Sequence, residues 1–360
     1  MKKILILYTS VGYGHKKISE NIGQALSKSF KVDLVDLVDL EKGKLMDNSS
    51  QLYFAIVQNW PGLWKFFYTN KGFLKATLPL RVPVASLKFH KVLAKLRQGN
   101  YDAVICAHVN ASAIISYLRK AGLYKGKFIT AFSDFHLHPY WVFKNADLFL
   151  ANIEEQKQQM LKMGIPAEKI LVCGMTLPPK KEFDKSAVRA KYNLSPNDQL
   201  VLVMSGSKGL VFDSRLIENI KGLDAKIFVV CGKNQKLERE LKEQFAAAKN
   251  VRIFGYVENL PELYAVTDLV VTKPGGLTVS ECLQYGLTML IHAWLPGQEH
   301  LNFEYLAQNK LIFAKLGDLK NSISHELATG EFAAQLRSNP KVAEIVQDGS
   351  LIEKTLTELL

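Results

Sequence analysis

Long apolar runs and paired cysteines are both missing from this chain of 360 residues. No apolar run approaches the roughly 18 residues that a membrane-spanning helix needs. The four cysteines are far apart and show no Cys-x-x-Cys spacing, which argues against a metal ribbon and predicts a reducing, cytoplasmic environment. The chain starts with two lysines and a short apolar run but lacks the small-residue cleavage site of a signal peptide, so a buried first strand is expected.

Acidic residues are absent between Asn48 and Tyr101, a stretch that holds 8 cations and many aromatic residues. Residues 1–150 contain 21 Lys and Arg against 9 Asp and Glu, whereas residues 151–360 contain 25 of each. The whole net charge of +12 therefore lies in the first part of the chain. Cations beside aromatic side chains are typical of a peripheral membrane surface. A nucleic-acid site and a buried helix pair with solvated lysines are the alternatives. The residues predicted to contact the membrane are Trp60, Trp64, Lys65, Phe67, Lys71 and Lys75.

Short apolar segments alternate with helix-like segments along the chain. In the first part the strand candidates are residues 4–8, 32–40, 103–107, 128–132 and 148–151. In the second part they are residues 200–204, 226–231, 251–254, 269–271 and 289–293. The alternation predicts an α/β fold with two Rossmann-like, doubly wound parallel-sheet domains facing a cleft. We expect domains over 1–172 and 185–340, a linker over 173–184, and a C-terminal helix over 341–360 that packs back on the first domain.

A glycine pair separates the strand candidate 269–271 from a predicted helix over 277–285. Gly275 and Gly276 leave backbone N–H groups bare, so a phosphate can approach the positive end of that helix. Glu281 lies one helical turn further on, where a carboxylate can accept from both hydroxyls of a ribose. A diphosphate and a ribose bound side by side indicate a nucleotide-sugar site, whereas a lone glycine pair would indicate a capped surface turn.

This motif, Lys273-Pro-Gly-Gly-Leu-Thr-Val-Ser-Glu281, and Pro296-Gly-Gln-Glu299 resemble the donor-site signature of the inverting glycosyltransferases that make monogalactosyl- and glucosyl-diacylglycerol. The bacterial transferase that adds N-acetylglucosamine to lipid I is a more distant relative. Five separated motifs carry the resemblance, which implies the two-domain GT-B arrangement. It also implies that Gln298 and Glu299 hold the sugar hydroxyls. The residues that it assigns to the rest of the UDP-sugar are Gly275, Gly276, Leu277, Thr278 and Glu281.

The segment Tyr8-Thr-Ser-Val-Gly-Tyr-Gly-His15 follows the first strand candidate and resembles the family's opening Gly-x-Gly-His motif. Gly12 and Gly14 allow a tight turn there, and His15 is then expected at the mouth of the cleft. A histidine in that place can orient the acceptor hydroxyl or stabilise charge near the leaving phosphate. The alternative is a plain strand-to-helix turn with a capping histidine.

The segment Ser133-Asp-Phe-His-Leu-His-Pro-Tyr-Trp141 resembles the family's Thr-Asp-Phe and His-x-x-Trp pattern, with Asp134, His138 and Trp141 on matching positions. An inverting transfer needs a base for the acceptor proton, and a carboxylate at a strand end suits that role. Asp134 and His15 are both candidates for it. A metal site at Asp134, His136 and His138 is less favoured, because no Asp-x-Asp motif supports one. A capping aspartate with a core tryptophan also stays open.

Two more turns in the second part resemble family motifs. Gly206 and Ser207 lie in a turn that either lines the diphosphate or is only structural, and the absence of Gly-Lys-Ser/Thr excludes a P-loop. Tyr256 and Val257 match the stretch that binds the uracil in the lipid I relative. A core aromatic residue is an equal alternative at that place.

The sequence therefore predicts an inverting hexosyltransferase that uses a UDP-sugar and a lipid acceptor, diacylglycerol or a glycosylated diacylglycerol. The acceptor site and the membrane surface are assigned to the first domain and the UDP-sugar site to the second. A UDP-sugar epimerase, a non-catalytic UDP-sugar sensor and a transferase with another hydrophobic acceptor are the alternatives. We expect no metal or other cofactor and no nucleic-acid partner. We also expect a cytoplasmic protein that binds the anionic inner face of the cell membrane.

Overall fold

The computed structural model describes residues 1–10, 13–40, 60–82, 89–204, 206, 213–314 and 318–360. The predicted site residues Gly12 and Ser207 lie outside the described residues. The chain divides into two compact units. Unit 1 comprises Met1–Pro178, Pro296–Gln298 and Glu344–Leu360. Unit 2 comprises Pro179–Leu295 and Glu299–Ala343, so the division falls inside the stretch 173–184.

Unit 1 is built on six parallel strands in the order β2-β1-β3-β4-β5-β6. The strands are β1 (Lys3–Tyr8), β2 (Lys31–Asp36), β3 (Ala103–Cys106), β4 (Lys127–Ala131), β5 (Leu148–Ala151) and β6 (Ile170–Val172). The α-helices are Tyr13–Leu26, Leu37–Leu40, Pro61–Thr69, Lys71–Thr77, Phe89–Gly99, Val109–Lys120, Glu154–Lys162 and Ser350–Leu359. The 3₁₀ turns are Leu78–Leu80, Pro139–Trp141 and Ala167–Lys169.

A short strand pair ties the end of the chain to this unit. β7 (Met175–Thr176) pairs in parallel with a strand at Val346–Gln347, which is β14 in chain order. Asn21 also donates to the backbone oxygen of Thr176 at 3.0 Å. The helix Ser350–Leu359 buries Ile352 and Leu356.

Unit 2 is built on a second set of six parallel strands, in the order β10-β9-β8-β11-β12-β13. The strands are β8 (Leu200–Met204), β9 (Lys226–Val230), β10 (Val251–Phe254), β11 (Leu269–Thr272), β12 (Thr288–Ile291) and β13 (Phe313–Ala314). The helices are Lys185–Lys191, Arg215–Ile220, Gln235–Gln244, Leu260–Val266, Gly276–Tyr285, Leu319–Thr329 and Glu331–Arg337. Two more helices, Gln298–Gln308 and Pro340–Ile345, have one and two residues in unit 1, respectively.

The central strands are apolar along their whole length because both faces of each sheet are covered. The residues of β8 from Leu200 to Val203 and those of β1 from Ile4 to Leu7 expose no surface. Continuous apolar strands are typical of parallel sheets buried between helices. The predicted α/β fold with parallel sheets is therefore confirmed. Among the described residues, no helix is both long and apolar enough to cross a membrane.

Each sheet has one place where the chain reverses its direction of winding. In unit 1 the chain runs from β1 outward to β2 and then returns to β3, so the reversal lies between β1 and β3. In unit 2 it runs outward through β8, β9 and β10 and returns to β11, so the reversal lies between β8 and β11. Ligands of open parallel sheets bind outside the carboxyl ends of the strands at such a point. Each sheet therefore has a place for a ligand at the carboxyl ends of the strands beside its reversal point.

Candidate active site

The glycine turn of unit 2 lies at the reversal point, directly after β11. Gly275 is the N-cap of the helix Gly276–Tyr285. A methyl group added at Gly275 would meet no atom within 4 Å, so space is open beside this backbone. The helix buries Gly276 and Leu277, while Thr278 is partly exposed. The expected bare N–H of Gly275 is wrong, because this group donates to the backbone oxygen of Lys273 at 2.8 Å. The N–H groups of the first helical turn and the helix dipole still make this place suited to an anion such as a phosphate.

Glu281 is held by a partner that the sequence did not reveal. The hydroxyl of Tyr264 donates to Oε2 of Glu281 at 3.3 Å, and the Tyr264 side chain is buried. Burial, and next the Glu281 carboxylate, raise the pKa of Tyr264 well above its ordinary value. Tyr264 therefore stays protonated and continues to donate, which fixes the orientation of a carboxylate that is only partly buried.

Gln298 and Glu299 are adjacent in sequence but have different partners. Glu299 is buried, and its carboxylate forms an ion pair with Lys273 and accepts from the backbone N–H of Leu295 at 2.8 Å. Gln298, which belongs to unit 1, donates through Nε2 to Oδ2 of Asp134 at 2.6 Å. The predicted contact of both residues with a sugar stays a prediction.

The turn after β8 comes close to this ion pair. Gly206 has a φ of +74°, and a methyl group added there would lie 2.8 Å from Cε of Lys273. The left-handed backbone favours glycine at this point.

Tyr256 lies on the surface of unit 2 after β10. Its side chain is 47% exposed, and the ammonium group of Lys233 lies 5.4 Å from the ring centroid. The interpretation as a core aromatic residue is therefore wrong. An exposed ring can stack on a base. Val257 beside it is partly buried.

Three aromatic side chains meet at the reversal point of unit 1. The ring of His15 lies edge-on to that of His108, with centroids 5.0 Å apart, and is stacked on Trp141 at 5.7 Å. Burial lowers the pKa of His15, although the carboxylate of Asp134 acts in the opposite direction. Nδ1 of His15 is buried and has no hydrogen-bond partner among the residues that the structure describes. His15 thus presents a neutral imidazole with unused hydrogen-bonding capacity.

His108 was not among the predicted residues. It follows β3 and caps the helix Val109–Lys120, because its Nδ1 accepts from the backbone N–H of Asn110 at 3.2 Å. The proton of the neutral ring is then on Nε2. Burial, and next the neighbouring His15, lower the pKa of His108 well below its ordinary value. The sequence could have indicated His108, because it directly follows an apolar strand candidate, as the predicted residues do.

Asp134 follows β4 on a loop that buried amide groups hold in place. Its backbone oxygen accepts from Asn152 at 2.9 Å and from Gln156 at 2.8 Å. Both amide side chains are buried. The carboxylate accepts at Oδ2 from Ser133 at 3.0 Å, in addition to Gln298. The side chain is therefore oriented by donors and is not a helix cap.

His136 and His138 are bound to Tyr68 instead of to a common ligand. Nε2 of His136 lies 2.6 Å from the Tyr68 hydroxyl. His138 donates through Nε2 to the backbone oxygen of Tyr68 at 3.0 Å and accepts at Nδ1 from Tyr140 at 3.3 Å. Both ring nitrogens of His138 are thus occupied. Within the described ranges, no group of three or more His, Cys, Asp or Glu side chains is arranged to hold a metal ion.

Between residues 60 and 77, the basic aromatic stretch folds into the helices Pro61–Thr69 and Lys71–Thr77. Large apolar side chains are exposed on it, with Trp60 at 59% and Phe66 at 49%. Two other exposed apolar residues are Leu63 and Leu80. The three lysines of the prediction, Lys65, Lys71 and Lys75, are exposed as well. Trp64 and Phe67, which were predicted to face a membrane, are partly buried.

Two family models match consecutive parts of the chain. Residues 15–177 match the monogalactosyldiacylglycerol synthase model, and residues 200–310 match the C-terminal domain model of glycosyltransferase family 28. A processive diacylglycerol beta-glucosyltransferase of Bacillus pumilus is 27% identical, covering 99% of this chain and 95% of that protein. The protein of the same name from Bacillus cytotoxicus is 29% identical over 84% of this chain and 79% of its own length.

Solved structures share the fold at lower identity. Anabaena HepE in complex with UDP and glucose has a TM-score of 0.60 and 17% identity, covering 100% of this chain and 99% of that one. The Streptomyces glycosyltransferase SsfS6 has a TM-score of 0.65 at 11% identity, covering 99% and 100%. The UDP-GlcNAc 2-epimerase of Neisseria meningitidis bound to UDP-GlcNAc has a TM-score of 0.58 at 15% identity, covering 99% and 100%.

Proposed function

Since this chain belongs to the family of monogalactosyldiacylglycerol synthases and processive diacylglycerol glucosyltransferases, which are glycosyltransferases, we propose that it transfers a hexose from a UDP-sugar to a lipid hydroxyl. The lipid is diacylglycerol or a glycosylated diacylglycerol, and the anomeric carbon is inverted. The observation that carries the proposal is that one family model matches most of unit 1 and the other matches most of the strands of unit 2, over residues 15–177 and 200–310.

Unit 2 is the donor-binding part in this proposal. The open backbone at Gly275 and the helix that starts there suit the diphosphate. Glu281, oriented by Tyr264, suits the ribose hydroxyls. The exposed ring of Tyr256 suits the uracil. These assignments follow the sequence motifs, and the geometry supports each of them.

Unit 1 supplies the base and binds the acceptor. The acceptor hydroxyl loses its proton to the base as its oxygen attacks the anomeric carbon, and the bond to the diphosphate breaks on the opposite side. Asp134 is our first candidate, because its loop is fixed by Asn152 and Gln156. His15 is the second, because burial lowers its pKa, and a neutral imidazole can accept a proton. No metal takes part in this mechanism.

The helices Pro61–Thr69 and Lys71–Thr77 dock on the membrane that holds the acceptor. Their exposed face combines apolar side chains with lysines and carries no acidic residue. Such a face gains from anionic headgroups, with on the order of 1 kcal/mol for each Lys or Arg near the surface. The protein would then act as a peripheral protein at the inner face of the cell membrane.

The test is to incubate the purified protein with UDP-glucose, UDP-galactose or UDP-N-acetylglucosamine and with vesicles that contain diacylglycerol. We expect a glycolipid whose mass has increased by one or more hexoses, with the β-anomer from an α-linked donor by NMR. Conversion of the UDP-sugar into its epimer without glycolipid would instead identify an epimerase, whose architecture is also similar. Binding without turnover would identify a sensor.

A further inference from the structure

The ion pair between Lys273 and Glu299 is an unusual feature of the donor-binding unit. The Lys273 side chain is 20% exposed and that of Glu299 is 11% exposed. The carboxylate also accepts from the backbone of Leu295, so both of its oxygens are occupied. A pair of charges this deeply buried contributes little net stability, because the desolvation of both groups offsets their attraction. The pair is therefore better explained by a role in binding than by a role in stability.

The position of Lys273 suggests that role. It lies between the end of β11 and the cap residue Gly275, at the reversal point of the sheet. Gly206, which follows β8, lies beside the end of the Lys273 side chain, because a methyl group added there would be 2.8 Å from Cε of Lys273. The Lys273 side chain thus lies beside Gly206 and directly before the start of the helix Gly276–Tyr285, at the point of the sheet where a ligand is expected.

A leaving diphosphate needs positive charge beside it. When the bond between the anomeric carbon and the phosphate oxygen breaks, both electrons of that bond stay on the oxygen, and the diphosphate gains a negative charge. Bare N–H groups and a helix dipole supply only partial charges. Within the described part of unit 2, Lys273 supplies a cationic side chain directly before this helix start. Stabilisation by a fixed cation acts where the charge develops.

We propose that Lys273 contacts the donor diphosphate and stabilises it as the leaving group, and that Glu299 is the positioning residue that holds the Lys273 ammonium. This inference rests on the proposed function. It assigns the Glu299 carboxylate to Lys273 instead of to the sugar hydroxyls. Glu299 can hold Lys273 before the donor binds, so that little side-chain ordering is left for the binding step.

The experiment compares two ligands that differ only in the diphosphate. Binding of UDP and of uridine is measured by calorimetry for the wild type, for Lys273→Gln with Glu299→Gln, and for the surface control Lys236→Gln. The double variant removes both charges, so no uncompensated carboxylate remains buried. We expect UDP affinity to fall about 10- to 100-fold, the value for one charged hydrogen bond, while uridine affinity stays the same. The control variant should bind both ligands as the wild type does.

Equal losses for UDP and uridine, or no loss for UDP, would overturn the role of Lys273. The single variant Glu299→Gln tests the positioning role, because it should weaken UDP and UDP-sugar by the same factor. If Glu299→Gln weakens binding of the UDP-sugar but not of UDP, then Glu299 contacts the sugar and not Lys273. These measurements need no acceptor, so a failure to make glycolipid leaves them valid. A wild-type protein that binds no UDP would overturn both the inference and the proposed function.

Discussion

At the scale of single residues, the candidate site consists of reactive side chains that buried neighbours hold in one orientation. Tyr264 holds Glu281, and Asn152 and Gln156 hold the backbone of Asp134. Each holding group is itself buried, where a hydrogen bond is stronger and a broken one is costly. Substitutions of the reactive groups should therefore change binding or rate without disturbing the fold.

Replacing Glu281 by alanine should weaken UDP-sugar binding by roughly 1.5–3 kcal/mol, because a charged acceptor shared by two ribose hydroxyls is lost. Calorimetry measures the change. Tyr264→Phe should cause a smaller loss, since the carboxylate remains but its donor does not. The exposed Glu243→Ala is the control for a carboxylate elsewhere in the unit. Unchanged affinity in Glu281→Ala would remove this residue from the site.

Replacing Asp134 by asparagine should lower kcat about a hundredfold or more and leave UDP-sugar affinity nearly unchanged, because the amide cannot take up the acceptor proton. His15→Ala is the parallel variant. Steady-state rates together with UDP calorimetry separate the chemical step from binding. If Asp134→Asn keeps a near-normal rate and His15→Ala does not, then His15 is the base.

His138 should make the stability of the protein depend on pH. Burial lowers its pKa to about 4 in the folded protein, compared with 6.5 ordinarily. Between these values the unfolded chain takes up a proton that the folded chain does not. The free energy of unfolding should therefore fall as the pH decreases from about 6.5 to about 4, by up to about 3 kcal/mol from this group.

Urea unfolding of the wild type and of His138→Gln across this pH range tests the prediction. Glutamine can still donate to the backbone of Tyr68 but does not titrate there. His15 and His108 are lowered in the same direction and remain in both proteins, so only the difference reports on His138. Parallel curves for the two proteins would show that His138 makes no such contribution.

The sequence singled out groups that directly follow an apolar strand, but it did not reveal the partners that hold them. Gly275 and Asp134 were visible because a strand end before a polar group places that group at the ligand edge. Tyr264 and Lys273 gain their significance from contacts that span 17 and 26 positions of the chain, respectively. No local pattern reports such contacts, because they depend on how the elements pack.

At the scale of elements, the surface helices of unit 1 are tied to the loop that carries Asp134. Tyr68 on the helix Pro61–Thr69 binds both histidines of the loop. The hydroxyl of Tyr140 bonds to Thr77. Arg81 donates to the backbone oxygens of residues 139, 140 and 142 and lies 4.0 Å from the ring centroid of Phe143. Tyr68, Thr77 and Arg81 thus join the segment that we propose to contact lipid to the loop of the proposed base.

Replacing Tyr68 by phenylalanine should lower kcat, because the loop loses one fixed contact while the ring packing on His138 remains. One neutral hydrogen bond implies a loss of about 2- to 10-fold. UDP affinity and vesicle binding should stay the same. Thr69→Ala is the matched control, since the Thr69 hydroxyl bonds within its own helix. A loss of vesicle binding equal to the loss of rate would mean that Tyr68 acts on docking alone.

Apolar strands of four or more residues could be predicted from the sequence, whereas strands of two or three residues could not. β8, β10 and β5 have the predicted bounds, because a continuous apolar run between turn residues has few other structures. The candidate over 32–40 was too long, since a helix begins at Leu37. β6, β7, β13 and β14 have only two or three residues each and were missed. Their pairing depends on a neighbouring strand and leaves almost no periodicity in the sequence.

At the scale of the whole molecule, charge is distributed unevenly between the two parts of the chain. Residues 1–150 account for the whole excess of +12, and the second part is balanced. The exposed lysines of the helices Pro61–Thr69 and Lys71–Thr77 lie beside exposed apolar side chains. A charge excess alone would favour any polyanion, but apolar residues at the same surface favour a lipid layer over nucleic acid.

Vesicle binding should therefore need anionic headgroups and should weaken as salt rises, because screening limits the attraction to about 8 Å near physiological ionic strength. Replacing Lys65, Lys71 and Lys75 by glutamine should reduce flotation with anionic vesicles. The same charge change in unit 2, at Lys236, Lys242 and Lys249, should not. Activity on a short, water-soluble acceptor should survive in both variants.

The contribution of apolar side chains to vesicle binding can be measured separately, because some of these side chains are exposed and others are partly buried. Leu63→Ser with Phe66→Ser changes two exposed residues and should reduce flotation while the melting temperature stays the same. Trp64→Ser with Phe67→Ser changes two partly buried residues and should lower the melting temperature first. Equal flotation with neutral and anionic vesicles, or none with either, would exclude electrostatic docking. If flotation falls only in the variant whose melting temperature also falls, the result would support the buried helix pair with solvated lysines instead.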